Sequence, residues 1–593
     1  MATTRETLTV GVTGHRPERL GGERLTAIAA TVAAALDAVA TAARAVAPDV
    51  DLRLVSALAE GADAIVADAA LARGWILDSI LPFNRDDYAR DFTGPDALAA
   101  YRVRLAASRA VFELPGARAL DSDPRAYERA GRVALAQCDI LLAIWDRGPL
   151  HGRGGTGQIV GEAVTEDVPV ILIDPAGATA PILLWDGLEE HDLGQQTLDT
   201  VPRSPLEALP RVARALVGYP NGPDNPAKAQ YESDAPLPRF NVALAFPLLL
   251  AAMGVRRLRR SDVRPADLAT AQAPILRAAA AVAPTAGAFA ARLRDDLAPR
   301  FAKADVLAAH IGQLFRSGYV INFGLAALAV ALALSGLALP PGAKPVLIVL
   351  ELSAIGTILM LTRTAHRVAW HQRWLDCRHL AERLRCLAVS AQVGDLGLRI
   401  GADSEPHWVT STVRATARGL GLPSVQVNEA YLTATRDALD ALIDDQLAYL
   451  TADARRMHRL EHRLHLIGTV LFALTALICI SFLGFEAVFK MGLGGHLEGV
   501  AHRVAIGVTI ASGALPAVGA AIYGIRMQGD FAGIAERAET LAHHLQALKR
   551  VIADDALSFD TLSRRIRRVV DLLTADLASW RHTYHARPLS LPG

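Results

Sequence analysis

The sequence predicts an α/β Rossmann-like parallel sheet domain followed by an all-α membrane region with four transmembrane helices and long cytoplasmic helices. Three observations predict it. Short apolar runs alternate with Ala-rich helical stretches over residues 7–175. Four apolar windows of about 17–22 residues follow in two pairs, each long enough to cross a bilayer. Of the 593 residues 52% are hydrophobic and 21% charged, and the mean hydropathy is +0.26. That balance excludes a disordered chain and fits a large soluble part carrying a few spans. Lys plus Arg equals Asp plus Glu at 61 each. Zero net charge speaks against bulk electrostatic binding, so no nucleic-acid partner is expected.

The strand candidates are Leu8–Thr13, Leu52–Leu58, Ile76–Leu81, Ile140–Trp145 and Val170–Ile173. They are apolar at nearly every position, as strands buried on both faces require. Helical stretches at Arg24–Val46, Ala62–Arg73 and Asp123–Gln137 separate them. Residues Met1–Glu6 are polar and show no signal peptide, which places this domain in the cytoplasm. The Pro- and Gly-rich stretch Tyr219–Pro238 reads as a linker or long loop. Val242–Gly254 is apolar but short, so it is either a buried helix or an interfacial segment.

The spans are Tyr319–Leu339, Pro345–Leu361, Leu466–Leu483 and Val504–Ile525. Arg316, Arg363, Arg367, Arg455, Arg456, Arg459, Arg463 and Arg526 flank them on one side, while the hairpin tips offer few cations. The positive-inside bias therefore predicts a multi-pass membrane protein with both hairpin tips outside and both termini in the cytoplasm. Leu380–Leu387 (LAERLRCL) after the first hairpin matches Leu541–Leu548 (LAHHLQAL) after the second. Both keep Leu at the first, fifth and eighth positions, one helix face, which points to a duplication. The C-terminal segment is amphipathic, with Leu562, Ile566, Val569, Leu573, Leu577 and Trp580 on one side. Its arginines 564, 565, 567 and 568 form a solvated bundle face or touch anionic lipid.

Glycine-rich turns follow three of the strands. After the first comes Gly14-His15-Arg16; glycine lets backbone approach a ligand, and arginine offers a forked phosphate donor. After the second come Ser56, Glu60, Gly61 and Asp63 at a helix start, where amides favour anions. After the fourth candidate strand come Asp146, then Gly154, Gly155 and Thr156, with Glu162 on the following helix. All fall at the carboxyl ends of strands, the edge at which open parallel sheets bind ligands. Glu162 can equally be a plain complement to its helix dipole. Cys138, Cys377, Cys386 and Cys479 show neither CxxC nor Cys/His spacing, so no disulfide framework, zinc site or other metal is expected. The histidines at 458, 462, 465, 543 and 544 read as solvated or packing residues.

The motifs VTGHRP, SALAEGADAIVADAAL, LPFNRDDY, and CDILLAIWDRGP followed by GRGGTGQIVGEA resemble the SLOG superfamily. This Rossmann-like group includes cytokinin-activating nucleotide phosphoribohydrolases, DNA-processing proteins and nucleotide-sensing modules of bacterial conflict systems. The two hairpin regions resemble SLATT domains, two-span effectors that associate with SLOG modules. The resemblance implies a SLOG-like domain at 1–200, a linker and helical region at 201–300, and SLATT-like regions at 301–427 and 428–593. It implies no cofactor, but a nucleotide-derived ligand of the cyclic nucleotide or ADP-ribose type, sensed at the residues named above. It also implies a homo-oligomer in the lipid bilayer whose output is a pore or membrane disruption in anti-phage defence. The hydrolase branch carries a catalytic glutamate; when Gly155-Thr156 is set on its Gly-Thr, that position falls on Ile159. This supports binding over hydrolysis and leaves enzyme activity open. The rivals are a membrane-tethered nucleotide N-glycosidase using Glu162 or Asp146, and a nucleotide-regulated transporter. Glu351, about six residues into the second span, lies roughly 9 Å from its outer end. Ionisable groups there are costly, so Glu351 lines a pore or proton path, pairs within the bundle, or snorkels outward.

Overall fold

The computed structural model describes residues 6–593 except 117, 119–122, 149–152, 186–195, 219–224, 236–241, 264–266, 400–406, 489–497, 586–588 and 590–593. For 123, 261, 498–501 and 576–585 only the backbone is described. Gly152, the tip between the third and fourth spans, and the side chains of Leu577 and Trp580 therefore lie outside the described residues.

The N-terminal part is an α/β sheet of nine strands: β1 Thr7–Gly14, β2 Asp51–Ser56, β3 Ile76–Leu81, β4 Ala110–Glu113, β5 Ile140–Ile144, β6 Val170–Ile173, β7 Ile182–Leu184, β8 Arg203–Pro205 and β9 Val425–Gln426. Their order is β8-β7-β6-β5-β1-β2-β3-β4-β9. The pairs from β6 through β9 across β1 are parallel, whereas β6–β7 and β7–β8 are antiparallel. The sheet is thus mixed at one edge, where short connections permit hairpin pairing. All five sequence-predicted strands are present. Strands β4, β7, β8 and β9 are additions of two to four residues, too short to show a periodic pattern. Strand order runs outward from β1 in opposite directions, to β2 on one side and to β5 on the other, so the carboxyl ends of β1 and β5 flank the crevice of this topology.

The principal helices are α1 Leu25–Val46, α2 Ala62–Leu71, α3 Asp123–Gln137, α4 Thr156–Thr165, α5 Ala245–Ala252, α6 Ala273–Val282, α7 Ala298–Ser335, α8 Lys344–Arg367, α9 Trp370–Ser390, α10 His407–Leu420, α11 Glu429–Val488, α12 Glu498–Gly529, α13 Phe531–Asp554 and α14 Phe559–His585. Helix α1 packs on the sheet through Ile28, Val32, Leu36 and Val39. Within the stretch read as a linker, Pro226–Ser233 is helical, with Asn225 accepting from the Lys228 amide at 3.2 Å and Pro226 in the first turn. Val242–Gly254 is a short helix whose Phe246 and Leu250 are buried against α7, while Leu248 is exposed. Ser317 of α7 holds it, accepting from the Phe246 amide at 3.0 Å and donating to the Ala243 carbonyl at 2.8 Å.

Several helices are long and apolar enough to cross a membrane: Gly287–Ser335, Pro341–Arg367, Glu429–Val488 and His502–Asp554, as well as the sheet-packed Gly22–Val46. No residue in the most apolar stretch of α11 is buried, which points to a membrane protein. The two halves share a device that the sequence pattern only hinted at. Ala369, between α8 and α9, has φ +50°, and Asp530, between α12 and α13, has φ +46°. Each stands eleven residues before the Leu of its Leu-Ala motif. A left-handed residue thus bends both chains at equivalent places. In both halves the incoming helix then packs on the outgoing pair, α7 on α8 and α9, and α11 on α12 and α13. Leu380, Leu384 and Leu387 share one core with Leu541, Leu545 and Leu548. Glycines 513, 519 and 524 of α12 admit Leu334 and Phe323 of α7 and Phe472 of α11, the small-residue contact that lets apolar helices pack closely. In α14 the face of Leu562, Ile566, Val569 and Leu573 is buried in the bundle.

Candidate functional site

A pocket of about 540 Å³ opens at the carboxyl ends of β1 and β5, between the N-termini of α2 and α4. Gly14, His15, Arg16, Asp63, Gly154, Gly155 and Thr156 line it. The glycines are required by close backbone approach. Gly61 has φ +99°, and a Cβ there would sit 2.6 Å from the His15 carbonyl oxygen. A Cβ on Gly14 would sit 2.3 Å from that of Ala62. These two contacts draw the β1 turn onto the start of α2. Neither α2 nor α4 has a side-chain cap, since Gly61 and Gly155 occupy the cap positions. At the start of α2 the Ala62 and Ala64 amides donate to the carbonyls of His15 and Ala59, so it is the first turn of α4, at Thr156 and Gly157, that offers amides and a dipole to an anion.

Three arginines line the pocket: Arg16, Arg19 and Arg153. Arg16 lies 5.4 Å from the centre of the Tyr127 ring and 3.2 Å from Asp91. Arg19 donates to Asp146 at 2.8 Å, and Arg153 pairs with Glu128. His15 is buried, with Nε2 2.9 Å from Oδ1 of Asp146. Burial works against the Asp146 charge, but the Gly148 amide, His15 and Arg19 hold its carboxyl below the usual range.

Asp63 is buried in the pocket wall and accepts from the Ser56 hydroxyl and the Ala57 amide, both at 3.1 Å. Burial pushes its carboxyl up to about 6, opposed by the Ser56 hydroxyl, the Ala59 and Ala57 amides and the charge of Arg16. The folded chain thus holds a proton that an unfolded aspartate, with an ordinary value of about 3.9, releases. This group's contribution to stability rises as pH falls from about 7 to about 4. An anion in the pocket raises the carboxyl further, so binding takes up a proton. Affinity for a phosphate-bearing ligand, measured by calorimetry, is expected to rise by up to about tenfold per unit as pH falls towards 6, with Asp63→Asn flattening the profile.

The remaining sequence-predicted residues stand around the pocket without lining it. Ser56 supports Asp63, Gly61 shapes the turn, and Asp146 orients His15 and Arg19. Glu60 begins the turn before α2 and is outside the lining. Glu162 sits one helical turn beyond, receiving Arg132 at 2.7 Å and Gln158 at 2.9 Å. Ile159, by contrast, is buried and lines the pocket. Sequence reading missed Arg19, Tyr88, Tyr127 and Arg153. Tyr127 comes from α3, which presents Ala130, Gly131 and Ala134 to the pocket. Small residues at helical spacing were the available signal of a close approach there.

Glu351 is half-buried on α8. It continues the stripe of Ala354, Ile358, Leu361 and Ala365, the buried face of that helix. Among the described residues, no group of three or more His, Cys, Asp or Glu is placed to hold a metal. His458 pairs with Glu539 at 3.0 Å, and all four cysteines are free thiols. No protein-family model matches this chain, and no curated protein matches it at a significant level.

Proposed function

We propose that this chain is a membrane-anchored sensor of a nucleotide-derived signal that gates a transmembrane helical effector, a pore or a membrane-disrupting bundle. The observation that carries this reading is the double role of α3. One face lines the strand-end pocket through Tyr127, Ala130, Gly131 and Ala134. Its other contacts reach the helical region: Arg129 donates to Asp560 of α14 at 2.7 and 2.8 Å, and Gln137 to the Gly394 carbonyl at 2.7 Å. Val133 belongs to the same core as Leu380, Leu384 and Leu545. A ligand that binds one position of α3 better than another therefore biases the bundle; differential affinity is all that gating requires.

Four helices are read as spans, the apolar stretches of α7, α8, α11 and α12, because α1 is spent on the sheet. The flanking arginines support an orientation with both termini in the cytoplasm, and the resemblance supports a bacterial inner (cytoplasmic) membrane. Helix α8 packs chiefly on α7 and leaves Val346, Ile348, Leu352, Leu359 and Met360 exposed. That exposed face is open to lipid or to further copies of the chain, whereas Glu351, on the opposite stripe, would line a path inside the bundle of its own chain. The resemblance to SLOG and SLATT modules adds the setting, anti-phage defence, and the ligand class, a cyclic nucleotide or an ADP-ribose derivative. Three arginines and the uncapped start of α4 favour such an anion.

The hydrolytic alternative has less support: Asp146 and Glu162 stand outside the lining, in ion pairs with Arg19 and Arg132, and the wall carries Ile159. Arg16→Ala is expected to weaken ligand binding at least about tenfold, or about 1.4 kcal/mol, since hydrogen bonds to charged groups contribute about 1.5–3 kcal/mol. Calorimetry on the full chain against cyclic nucleotides and ADP-ribose derivatives checks this. Unchanged affinity in a folded variant would place the ligand elsewhere.

A further inference from the structure

A second cavity, of about 650 Å³, lies in the helical region where both halves of the repeat meet. Its walls come from α5, α6, α7, α9, α11 and α13, and it ends at Arg316, three residues before the first apolar window. Six arginines line it. Five of them have carboxylate partners. Arg256 donates to Asp262 at 2.6 Å, Arg277 pairs with Asp445, and Arg456 donates to Asp453 at 2.9 Å. Arg378 and Arg385 converge on Glu382 at 2.8 and 2.7 Å, and Arg385 lies 3.5 Å from Asp305. Burial opposes the Glu382 charge, but Arg385 and Arg378 outweigh it and hold the carboxyl below the usual range.

Arg316 is the sixth, and among the described residues it has no carboxylate partner. Its guanidinium lies 5.3 Å from the ring centre of Trp374 and 5.6 Å from that of Phe246. Aromatic faces steady a cation without neutralising it. The close fit is built in: a Cβ on Gly312, one turn earlier on α7, would sit 2.6 Å from Nε1 of Trp374. Six guanidinium groups against five carboxylates leave one positive charge in a partly enclosed, aromatic-walled space. Its volume is in the range of small-molecule sites.

We infer that this cavity binds an organic phosphate, with the phosphate on Arg316 between Trp374 and Phe246 and the organic part in the space between the two halves. This site is separate from the strand-end pocket and does not depend on how that pocket is read. The phosphate belongs either to an inner-leaflet phospholipid headgroup or to a phosphomonoester in solution, and the two share the recognition chemistry. Because both halves of the repeat supply walls, occupancy fixes their spacing beneath the spans.

The test is calorimetry on the full chain in a neutral detergent, titrated with dihexanoyl phosphatidylglycerol and separately with glycerol 3-phosphate. At least one should bind, and Arg316→Ala and Arg316→Gln should each weaken that binding tenfold or more without lowering the melting temperature of the ligand-free protein. Binding of the lipid alone assigns the headgroup source; binding of glycerol 3-phosphate as well assigns the soluble one. In wild type the bound ligand should also protect Arg316 from phenylglyoxal, read by peptide mass, which keeps the test independent of whether the variants fold. No binding of either probe, equal affinity in variants that fold, or an Arg316 still modified at saturation overturns the inference.

Discussion

Arg418→Met is expected to destabilise the protein by about 3–5 kcal/mol, the usual cost of stripping one partner from a buried ion pair. Arg418 is 1% exposed and Asp139 2% in their side chains. Arg418 donates to Asp139 at 2.7 and 3.0 Å and to the Leu216 carbonyl at 3.0 Å. The same carboxylate accepts from the Thr9 amide at 2.9 Å, and Arg53 donates to the Arg418 carbonyl at 2.8 Å. The pair therefore fixes α10 to the start of β5, at the edge of the sheet opposite the pocket. Without Arg418, the buried Asp139 carboxyl loses its cation partner. Asp139→Asn combined with Arg418→Met keeps an acceptor for Thr9 and removes the charge, so the double variant should be less destabilised than Arg418→Met alone. Denaturant unfolding in detergent measures both. Equal loss in the single and double variants would mean that packing, not charge, makes the joint.

Glu351→Leu is expected to alter cation flux by about tenfold or more in reconstituted bilayers, with Glu351→Gln giving a smaller change of the same sense. The residue sits on the buried stripe of α8, away from the exposed Val346, Ile348 and Leu352. Glutamine keeps its shape and hydrogen bonding but removes its charge; leucine removes both. Membrane insertion and nucleotide binding should be unchanged, because Glu351 touches neither the strand-end pocket nor the flanking arginines. Identical flux and selectivity in wild type and both variants would end the pore-lining assignment while leaving the sensor intact.

The central strands were legible because burial on both faces writes itself as unbroken apolar runs. Strands β7 and β8 were not, being three residues long, and β4, as short as β6, ends its apolar run on Glu113. Strand β9 was beyond reach for another reason. Val425 and Gln426 pair with Phe112 and Glu113 across more than three hundred residues of sequence, and a two-residue ladder leaves no pattern. The partnership of Arg418 with Asp139 is similarly non-local. Both findings bear on experiment: a fragment ending near residue 200 would lack β9 and leave Asp139 unpaired, so binding is best measured on the whole chain.

At the candidate site the glycine turns gave the location, since sheet topology forces strand ends to one edge. They did not separate lining residues from supporting ones. Ser56, Gly61 and Asp146 act through Asp63, the backbone and His15, whereas Arg19 and Arg153 line the space directly. Leu380 and Leu541 marked the repeat, but the left-handed residues Ala369 and Asp530 carry no sequence signature, since neither is glycine.

Ligand-dependent flux tests the account most directly. The full chain in liposomes, with the nucleotide panel added to the side bearing the cytoplasmic domain, should leak ions or dye with one class of nucleotide-derived ligand. Arg16→Ala should need at least about tenfold more of it. A wild-type protein that binds a nucleotide in the strand-end pocket, yet shows the same flux with and without it, would contradict the coupling of pocket to bundle through α3.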